Sequence, residues 1–295
     1  MKFERRLIGL IVAAAIALAG CGRSAQIARP VPGARRIVSL APSVTEMLFA
    51  IGAGPEVVGV SQYCDYPPAA TKLPKVGSYI EPNIEEIVGL RPTLVIGPAT
   101  LSNVRATPAF SRMGIATIMI NDNSIAGIEL GIERVGAAVG RADQARDVVA
   151  RIRRQIAAVD ERLSGVPPRS VLMLVGHQPM VAVGRATFLG ELLALADASN
   201  IAGVSAQQWP RLSLEYVIAS RPDVILDGEM GTDPSEPDSF WSRYPAIPAV
   251  RDGRVLGYPR DPTLHPGPRI GQTLKILARL IHPEVFAQER RESVR

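Results

Sequence analysis

Short hydrophobic runs bounded by turn-forming residues recur along the chain from about residue 35 onward. A run of this kind is typical of a strand that is buried on both faces. Stretches with helical spacing of apolar residues separate several of the runs, and strands that alternate with helices indicate parallel α/β sheets. The predicted strands are residues 37–40, 57–60, 94–96, 117–120, 171–175, 224–226 and 255–256, and the predicted helices are residues 45–51, 84–90, 125–139 and 189–195.

One amphipathic stretch is much longer than the others. Residues 142–163 contain no Gly or Pro, and their apolar side chains recur at helical spacing among charged ones. The stretch ends at Ser164 and Gly165, with two prolines just beyond, which is typical of a helix stop. The pattern therefore predicts a single long helix in the middle of the chain, which would act as a stiff connector.

The sequence on one side of this helix is echoed on the other. Segment 83–96 matches segment 213–226: each starts with a capping residue, places a glutamate two positions later and reaches Arg-Pro before a buried run. Repetition over this distance indicates two similar lobes.

The fold class that follows is α/β: two Rossmann-like lobes with parallel sheets, joined by one long α-helix. The predicted boundaries are an N-terminal lobe at 35–140, a linking helix at 141–165 and a C-terminal lobe at 166–283. A tail at 284–295, dense in charge, is predicted to be disordered.

The amino terminus indicates export. A short basic segment precedes an uncharged apolar run at 7–20, which is typical of a signal peptide. The run ends in Leu-Ala-Gly followed by Cys21, which resembles the cleavage site of bacterial lipoproteins. The resemblance implies a signal peptide at 1–20, lipidation of Cys21 and a flexible tether at 21–34; an ordinary signal peptide with an incidental cysteine is the alternative.

Composition and charge narrow the range of functions. The 295 residues are 47% hydrophobic, enough for a sizeable core, and the net charge of +5 is too slight to predict a nucleic-acid-binding surface. No nucleotide-binding, metalloprotease or nucleophile-elbow motif is present. The three histidines, His177, His265 and His282, are dispersed. These features argue against an enzyme and predict no metal site.

Four stretches carry a resemblance to a known family: 36–46, 59–68, 82–92 and 257–269. They resemble the helical-backbone (class III) periplasmic substrate-binding proteins of ABC importers, most closely the vitamin B12-binding members. The resemblance implies a monomer without a cofactor that captures cobalamin or a related corrinoid and delivers it to a permease and ATPase complex. Haem and ferric siderophores are alternative ligands of the same class. An exported metal-dependent hydrolase is a second kind of protein that could share a two-lobed frame.

The resemblance also implies a set of ligand-binding residues. Aromatic side chains can pack against the flat corrin. A serine at the start of the helix after the first strand lies at the sheet edge where ligands bind. An acid can accept hydrogen bonds from ligand amides. Ser43 and Glu46 are also spaced as a capping box. A histidine in the loop after the last strand could instead ligate haem iron. The implied ligand-binding residues are Pro42, Ser43, Tyr63, Tyr79, Trp209, Asp261 and His265.

The matching glutamates of the two lobes have two interpretations. Glu85 and Glu215 each fall in the first turn of a predicted helix, where a carboxylate interacts favourably with the helix dipole. They also stand at the positions where the resembled family carries glutamates that dock onto arginines of the permease. The helix dipole does not explain why the spacing to Arg-Pro is the same in both lobes, whereas repeat ancestry does; docking is what the resemblance implies.

The terminus yields the first prediction. The variant Cys21→Ser should fold but should no longer fractionate with membranes, because the lipid supplies the anchor. Membrane and soluble fractions are compared by immunoblot, with and without detergent. A variant that still needs detergent for release would contradict lipidation at Cys21.

Overall fold

The computed structural model describes residues 35–177, 179–228 and 240–287. The predicted signal peptide (1–20), Cys21, the tether (21–34) and most of the predicted tail lie outside the described residues. No helix in the described part of the chain is long and apolar enough to cross a membrane.

The N-terminal lobe is built on a four-stranded sheet in the order β2-β1-β3-β4, and every neighbouring pair is parallel. Parallel pairing requires a crossover after each strand, and helices supply most of these crossovers. The strands are β1 (Ile37–Ser39), β2 (Val57–Val60), β3 (Leu94–Pro98) and β4 (Ala116–Ile120), and the helices are α1 (Pro42–Ala50), α2 (Ile84–Gly89), α3 (Leu101–Arg112) and α4 (Ile125–Ala138).

A five-stranded sheet forms the C-terminal lobe. Strand β5 (Arg169–His177) pairs in parallel with β7 (Ala198–Asn200) and β8 (Val224–Asp227), and β8 pairs in parallel with β9 (Val255–Gly257). The short strand β6 (Met180–Ala182) folds back antiparallel onto the end of β5, so this sheet is mixed. The helices are α6 (Phe188–Leu195), α7 (Leu214–Ser220), α8 (Pro248–Arg251), α9 (Arg260–Thr263) and α10 (Ile270–Ile281).

The two lobes repeat one topology. The parallel order β7-β5-β8-β9 corresponds to β2-β1-β3-β4. The repeated segments also share a backbone detail, since Arg91 and Arg221 both have a φ of +48° just after their helices. A left-handed residue there ends the helix and turns the chain into the following buried strand.

The long helix α5 (Ala142–Leu163) joins the lobes. Its 22 residues extend about 33 Å, and it packs against α4 of the first lobe and α10 of the second. Buried side chains of α5 belong to a hydrophobic cluster that also contains the inner faces of both sheets. Each sheet has a second, smaller cluster on its outer face. Because the largest cluster continues through both lobes, the lobes share one core.

The structure confirms the α/β class and the two lobes, and it adds elements that the sequence did not predict. All seven predicted strands form, and the linking helix fills the predicted segment except for its ends. Strands β6 and β7 and helices α3, α8, α9 and α10 were not predicted. Within the predicted tail, Phe286 is only 4% exposed and packs against the guanidinium groups of Arg162 and Arg279.

Candidate ligand-binding cleft

A cavity of about 810 Å³ lies at the carboxyl edge of the first sheet and faces the second lobe. Loops that follow β1, β2, β3 and β4 supply one wall, and the segment around α9 supplies the other. Ligands of open α/β sheets bind at this edge, where the loops after the strands converge. The residues that line the cavity are Ala41, Pro42, Ser43, Gln62, Tyr63, Asp65, Ser78, Tyr79, Ile80, Pro98, Thr100, Asp122, Arg260, Asp261, Leu264, His265 and Pro266.

Two tyrosines form an aromatic wall. The rings of Tyr63 and Tyr79 meet edge to face with their centroids 6.1 Å apart. Tyr63 is 53% exposed and Tyr79 is 41% exposed, although both line the cavity. Large apolar surfaces that stay open to solvent are available to a flat ligand.

The expected capping box does not form. Helix α1 begins at Pro42, and its cap residue Ala41 makes no side-chain bond to the helix. Ser43 is therefore already inside the helix, where it lines the cavity with Asp122, and its hydroxyl lowers the pKa of the Asp122 carboxyl. Glu46, which the spacing assigned to a cap, is buried at the boundary between the lobes.

Glu46 forms the principal ion pair between the lobes. Its carboxylate is bound by Arg269, with Nε to Oε2 at 2.7 Å and Nη2 to Oε1 at 2.5 Å. This geometry is bidentate, the strongest arrangement for a carboxylate and a guanidinium. Burial alone would lower the pKa of Arg269, but its hydrogen bonds to Glu46 and Asp261 raise that pKa above its ordinary value.

The same arginine fixes the C-terminal wall of the cavity. Arg269 also bonds Asp261, and the guanidinium lies 4.0 Å from the ring centroid of Tyr66 in the first lobe. Nδ1 of His265 lies 3.1 Å from Glu46 and 3.1 Å from Asp261. Of the two predicted ligand-binding residues of this segment, His265 thus contacts Glu46 across the cleft, and Asp261 is held by Arg269 of its own lobe.

Glu46, Asp261 and His265 also form the group of potential metal ligands found among the described residues, with one ligand atom of each within 4.8 Å of the others. Sequence analysis missed this grouping because its members lie at opposite ends of the chain. The guanidinium of Arg269 already engages both acids. A divalent cation would have to displace that positive charge, so the arrangement favours an ion-pair network over a metal site.

Asp122, at the carboxyl end of β4, is a cavity residue that sequence analysis did not identify. Burial raises the pKa of Asp122 to about 6, although its own backbone N–H and the Ser43 hydroxyl act in the opposite direction. A carboxylate with a perturbed pKa in a cleft is a candidate functional group.

The carboxyl edge of the second sheet carries a compact polar cluster. Asp227 at the end of β8 is fully buried, accepts a hydrogen bond of 2.7 Å from Nε1 of Trp241 and bonds Nε2 of His177. The His177 ring stacks on Phe240, with centroids 5.2 Å apart. These contacts tie the end of β5 to the end of β8 and shape the edge that faces the first lobe.

Six of the seven predicted ligand-binding residues line the cavity, and Trp209 does not. Trp209 is 43% exposed. On either side of it, the carbonyl of Pro210 accepts a hydrogen bond from the N–H of Ala182 at the end of β6, and the carbonyl of Gln208 accepts one from the N–H of Gly184. The contact of Trp209 with a ligand stays a prediction.

Glu85 and Glu215 occupy matching positions outside the cavity. Each is exposed in the first turn of its helix, α2 or α7, which runs antiparallel to the strand that follows. Both first turns therefore lie at the carboxyl edge of their sheets, as the cavity does. Bonds to its own backbone N–H and to Ser213 lower the pKa of Glu215, so it is ionised near neutral pH.

Comparison with known proteins identifies relatives of the whole two-lobed chain. A model of the family described as periplasmic binding protein matches residues 37–262. The vitamin B12-binding protein of Yersinia pestis (strain Pestoides F) is 27% identical over 221 residues, which cover 75% of this chain and 79% of that protein.

Solved structures show the same fold. The haem-binding protein RhuT from Roseiflexus sp. RS-1, in its apo form, is 30% identical with a TM-score of 0.76, covering 86% of this chain and 100% of that one. The vitamin B12-binding protein BtuF of Vibrio cholerae is 23% identical with a TM-score of 0.73, covering 85% and 98%.

The ion pair between the lobes yields a stability prediction. Arg269→Met should destabilise the protein by about 3–5 kcal/mol, because it leaves the Glu46 carboxylate buried without a partner. The double variant Glu46→Met/Arg269→Met should recover most of that loss, since no buried charge remains. The free energy of unfolding is measured by urea titration.

A second bidentate pair provides the matched control. Arg153 on α5 binds Glu129 on α4 at 2.8 Å, but its side chain is 65% exposed. Arg153→Met should therefore change stability by about 1 kcal/mol or less. Equal losses for Arg269→Met and Arg153→Met would contradict a special role for the buried pair.

Proposed function

Since the chain belongs to the periplasmic binding protein family, we propose that it captures cobalamin or a related corrinoid in the cleft between its lobes. Delivery to the permease and ATPase complex of an ABC importer follows from the same proposal. Relatives named as vitamin B12-binding proteins support this ligand. Membership of this family makes the chain an exported binding protein.

The chemistry of the cavity is the observation that carries the proposal. Among the described lining residues, acids outnumber cations. The acids are Asp65, Asp122 and Asp261, the cation is Arg260, and His265 is a further titratable group. A corrin has an apolar face and a rim of amides, which donate N–H groups to carboxylates. A ligand with a rim of carboxylates would instead meet three acids. The tyrosine wall and the acceptor-rich lining together fit the amide-rimmed macrocycle.

Haem is the second candidate. Tyr63 and His265 both line the cavity, and a phenol oxygen and an imidazole nitrogen are ligands that proteins use for haem iron. The 30% identical structural relative is a haem-binding protein, which supports the same alternative. The two carboxylates of haem fit the acidic lining less well.

The proposal includes a lipid anchor and a docking surface. Lipidation at Cys21 would hold a monomer at the membrane, close to its permease. Glu85 and Glu215 would contact arginines of the permease, because charged hydrogen bonds position two surfaces and still allow release.

Ligand identity is tested by spectroscopy of the purified protein. Mixed with cyanocobalamin and desalted, it should retain the corrin absorption bands, and hemin should compete weakly. Tyr63→Ala should weaken cyanocobalamin binding about tenfold, equivalent to about 1.4 kcal/mol, because half of the aromatic wall is lost. Retention of hemin without retention of cyanocobalamin would favour the haem alternative.

An exposed residue away from the cavity provides the control. Met113 is 52% exposed and lies outside the cavity lining. Met113→Ala should bind cyanocobalamin as the unaltered protein does. A loss equal to that of Tyr63→Ala would show that truncation of any exposed side chain weakens binding.

Docking is tested by separating capture from delivery. The double variant Glu85→Ala/Glu215→Ala should bind cyanocobalamin within a few-fold of the unaltered protein, because neither side chain lines the cavity. Uptake by cells that carry the cognate importer should fall at least tenfold, since loss of one partner of a desolvated ion pair costs about 2–5 kcal/mol. Reversal of both charges to Arg should reduce uptake further.

Glu86 supplies the matched control for this variant. It is exposed in the same helical turn as Glu85, but the corresponding residue of the other lobe is Tyr216. Glu86→Ala should leave uptake unchanged. Loss of cyanocobalamin binding by the double variant would mean that the two acids serve the cavity or the fold, and docking would be rejected.

A further inference from the structure

The three carboxylates of the cavity differ in what surrounds them. Asp261 is bound by Arg269 and faces His265. Asp65 is exposed at the rim. Asp122 is half-buried at the end of β4, and among the described residues it has no ion-pair partner; its side-chain donor is the hydroxyl of Ser43.

Asp122 therefore retains unused hydrogen-bonding capacity inside the cavity. A carboxylate can accept about four hydrogen bonds, and one hydroxyl and one backbone N–H use only part of that number. Removal from water without full compensation is costly for a polar group. A ligand that brings N–H groups to this position would replace the lost water contacts.

We infer that Asp122 is a specificity-determining residue of the cleft, which accepts an N–H from a rim amide of the ligand and disfavours a ligand that carries a carboxylate there. The inference rests on the proposed function, because it takes the ligand to be an amide-rimmed corrinoid. It adds to the proposed function a contact between Asp122 and a rim amide, and the exclusion of ligands that carry a carboxylate at that position.

The difference between amide and acid arises from charge. An amide N–H bound to an ionised carboxylate makes a charge-assisted bond, which is roughly twice as strong as a neutral one. A ligand carboxylate in the same place would face Asp122 with like charge.

The pH dependence of binding distinguishes Asp122 from other groups. The pKa of Asp122 is about 6 in the free protein, and an N–H donor from the ligand would lower it in the complex. Binding is then strongest above pH 6 and weakens as the pH falls through that value. A pKa drop of about one unit on binding gives about fivefold weaker binding at pH 5 than at pH 7.5.

Other titratable groups share the cavity and must be separated from Asp122. Those that line it are Tyr63, Asp65, Tyr79, Arg260, Asp261 and His265, and the Glu46–Arg269 pair lies beside them. Histidine is the side-chain type among them that ordinarily titrates close to this pH range, so His265 is the alternative source of a pH dependence. If Asp122 is responsible instead, His265→Gln should keep the pH profile of binding.

The experiment measures cyanocobalamin affinity from pH 5 to 7.5. Cyanocobalamin does not ionise over this range, so any pH dependence belongs to the protein. Asp122→Asn should give a flat profile with affinity about fivefold below that of the unaltered protein at pH 7.5, because a neutral acceptor replaces a charged one. Ser43→Ala should move the midpoint to higher pH, since the donor that stabilises the ionised form is lost.

A second probe tests the exclusion of acids. A cyanocobalamin derivative with one rim amide hydrolysed to a carboxylate should bind the unaltered protein at least tenfold less tightly than cyanocobalamin at pH 7.5. Asp122→Asn should reduce that discrimination to a few-fold. Asp160→Asn, which removes an exposed carboxylate from α5, is the control for net charge and should behave as the unaltered protein.

The outcomes separate this inference from the proposed function. If the unaltered protein does not retain cyanocobalamin, the proposed function fails and the inference fails with it. If it retains cyanocobalamin but Asp122→Asn keeps the pH profile and the discrimination, the inference alone is overturned. The inference alone is also overturned if Asp160→Asn reduces the discrimination against the carboxylate derivative as Asp122→Asn does. Should Asp122→Asn not fold, an unchanged midpoint in Ser43→Ala would overturn the inference.

Discussion

A carboxylate buried between two lobes has to be neutralised where it lies, and in this protein Arg269 neutralises Glu46. An unpaired charge in that position would cost several kcal/mol, so the two residues cannot separate without loss of stability. Glu46 lies on α1 of the first lobe, whereas Arg269 precedes α10 of the second. The pair therefore fixes where one lobe lies against the other at the cleft.

The cavity depends on this constraint in a direct way. Arg269 also holds Asp261 and stacks on Tyr66, and the Glu46 carboxylate contacts His265. The C-terminal wall of the cavity is therefore attached to the N-terminal lobe through charged contacts. Helix α5 and the hydrophobic core that continues through both lobes also hold the lobes together. Charge sets the geometry at the cleft, and apolar packing supplies the stability behind it.

The sequence was most informative where structure depends on local pattern. Seven strands and the linking helix follow from hydrophobic periodicity, and the repeat follows from two similar segments. Helix α3 was missed because Pro108 lies inside it, and β7 was missed because its sequence, Ala-Ser-Asn, is not a hydrophobic run. Spacing alone also misassigned Ser43 and Glu46 to a capping box, because a local motif competes with contacts that no local pattern reveals. The bond between Glu46 and Arg269 joins residues more than 200 positions apart, and the contact between Ser43 and Asp122 depends on how β1 and β4 lie in one sheet.

The two acids that the sequence did not place correctly, Glu46 and Asp122, illustrate opposite uses of a carboxylate. Glu46 is almost fully buried, and a bidentate guanidinium satisfies it, so it serves the shape of the cleft and offers nothing to a ligand. Asp122 lines the cavity, and burial, which outweighs the hydrogen bonds it accepts, raises its pKa to about 6. A binding site needs both kinds of acid. Side chains that are not held in place cannot discriminate between ligands, and polar groups that are already fully hydrogen-bonded cannot bind them. The first acid is stabilised within the protein, and the second is open to the cavity.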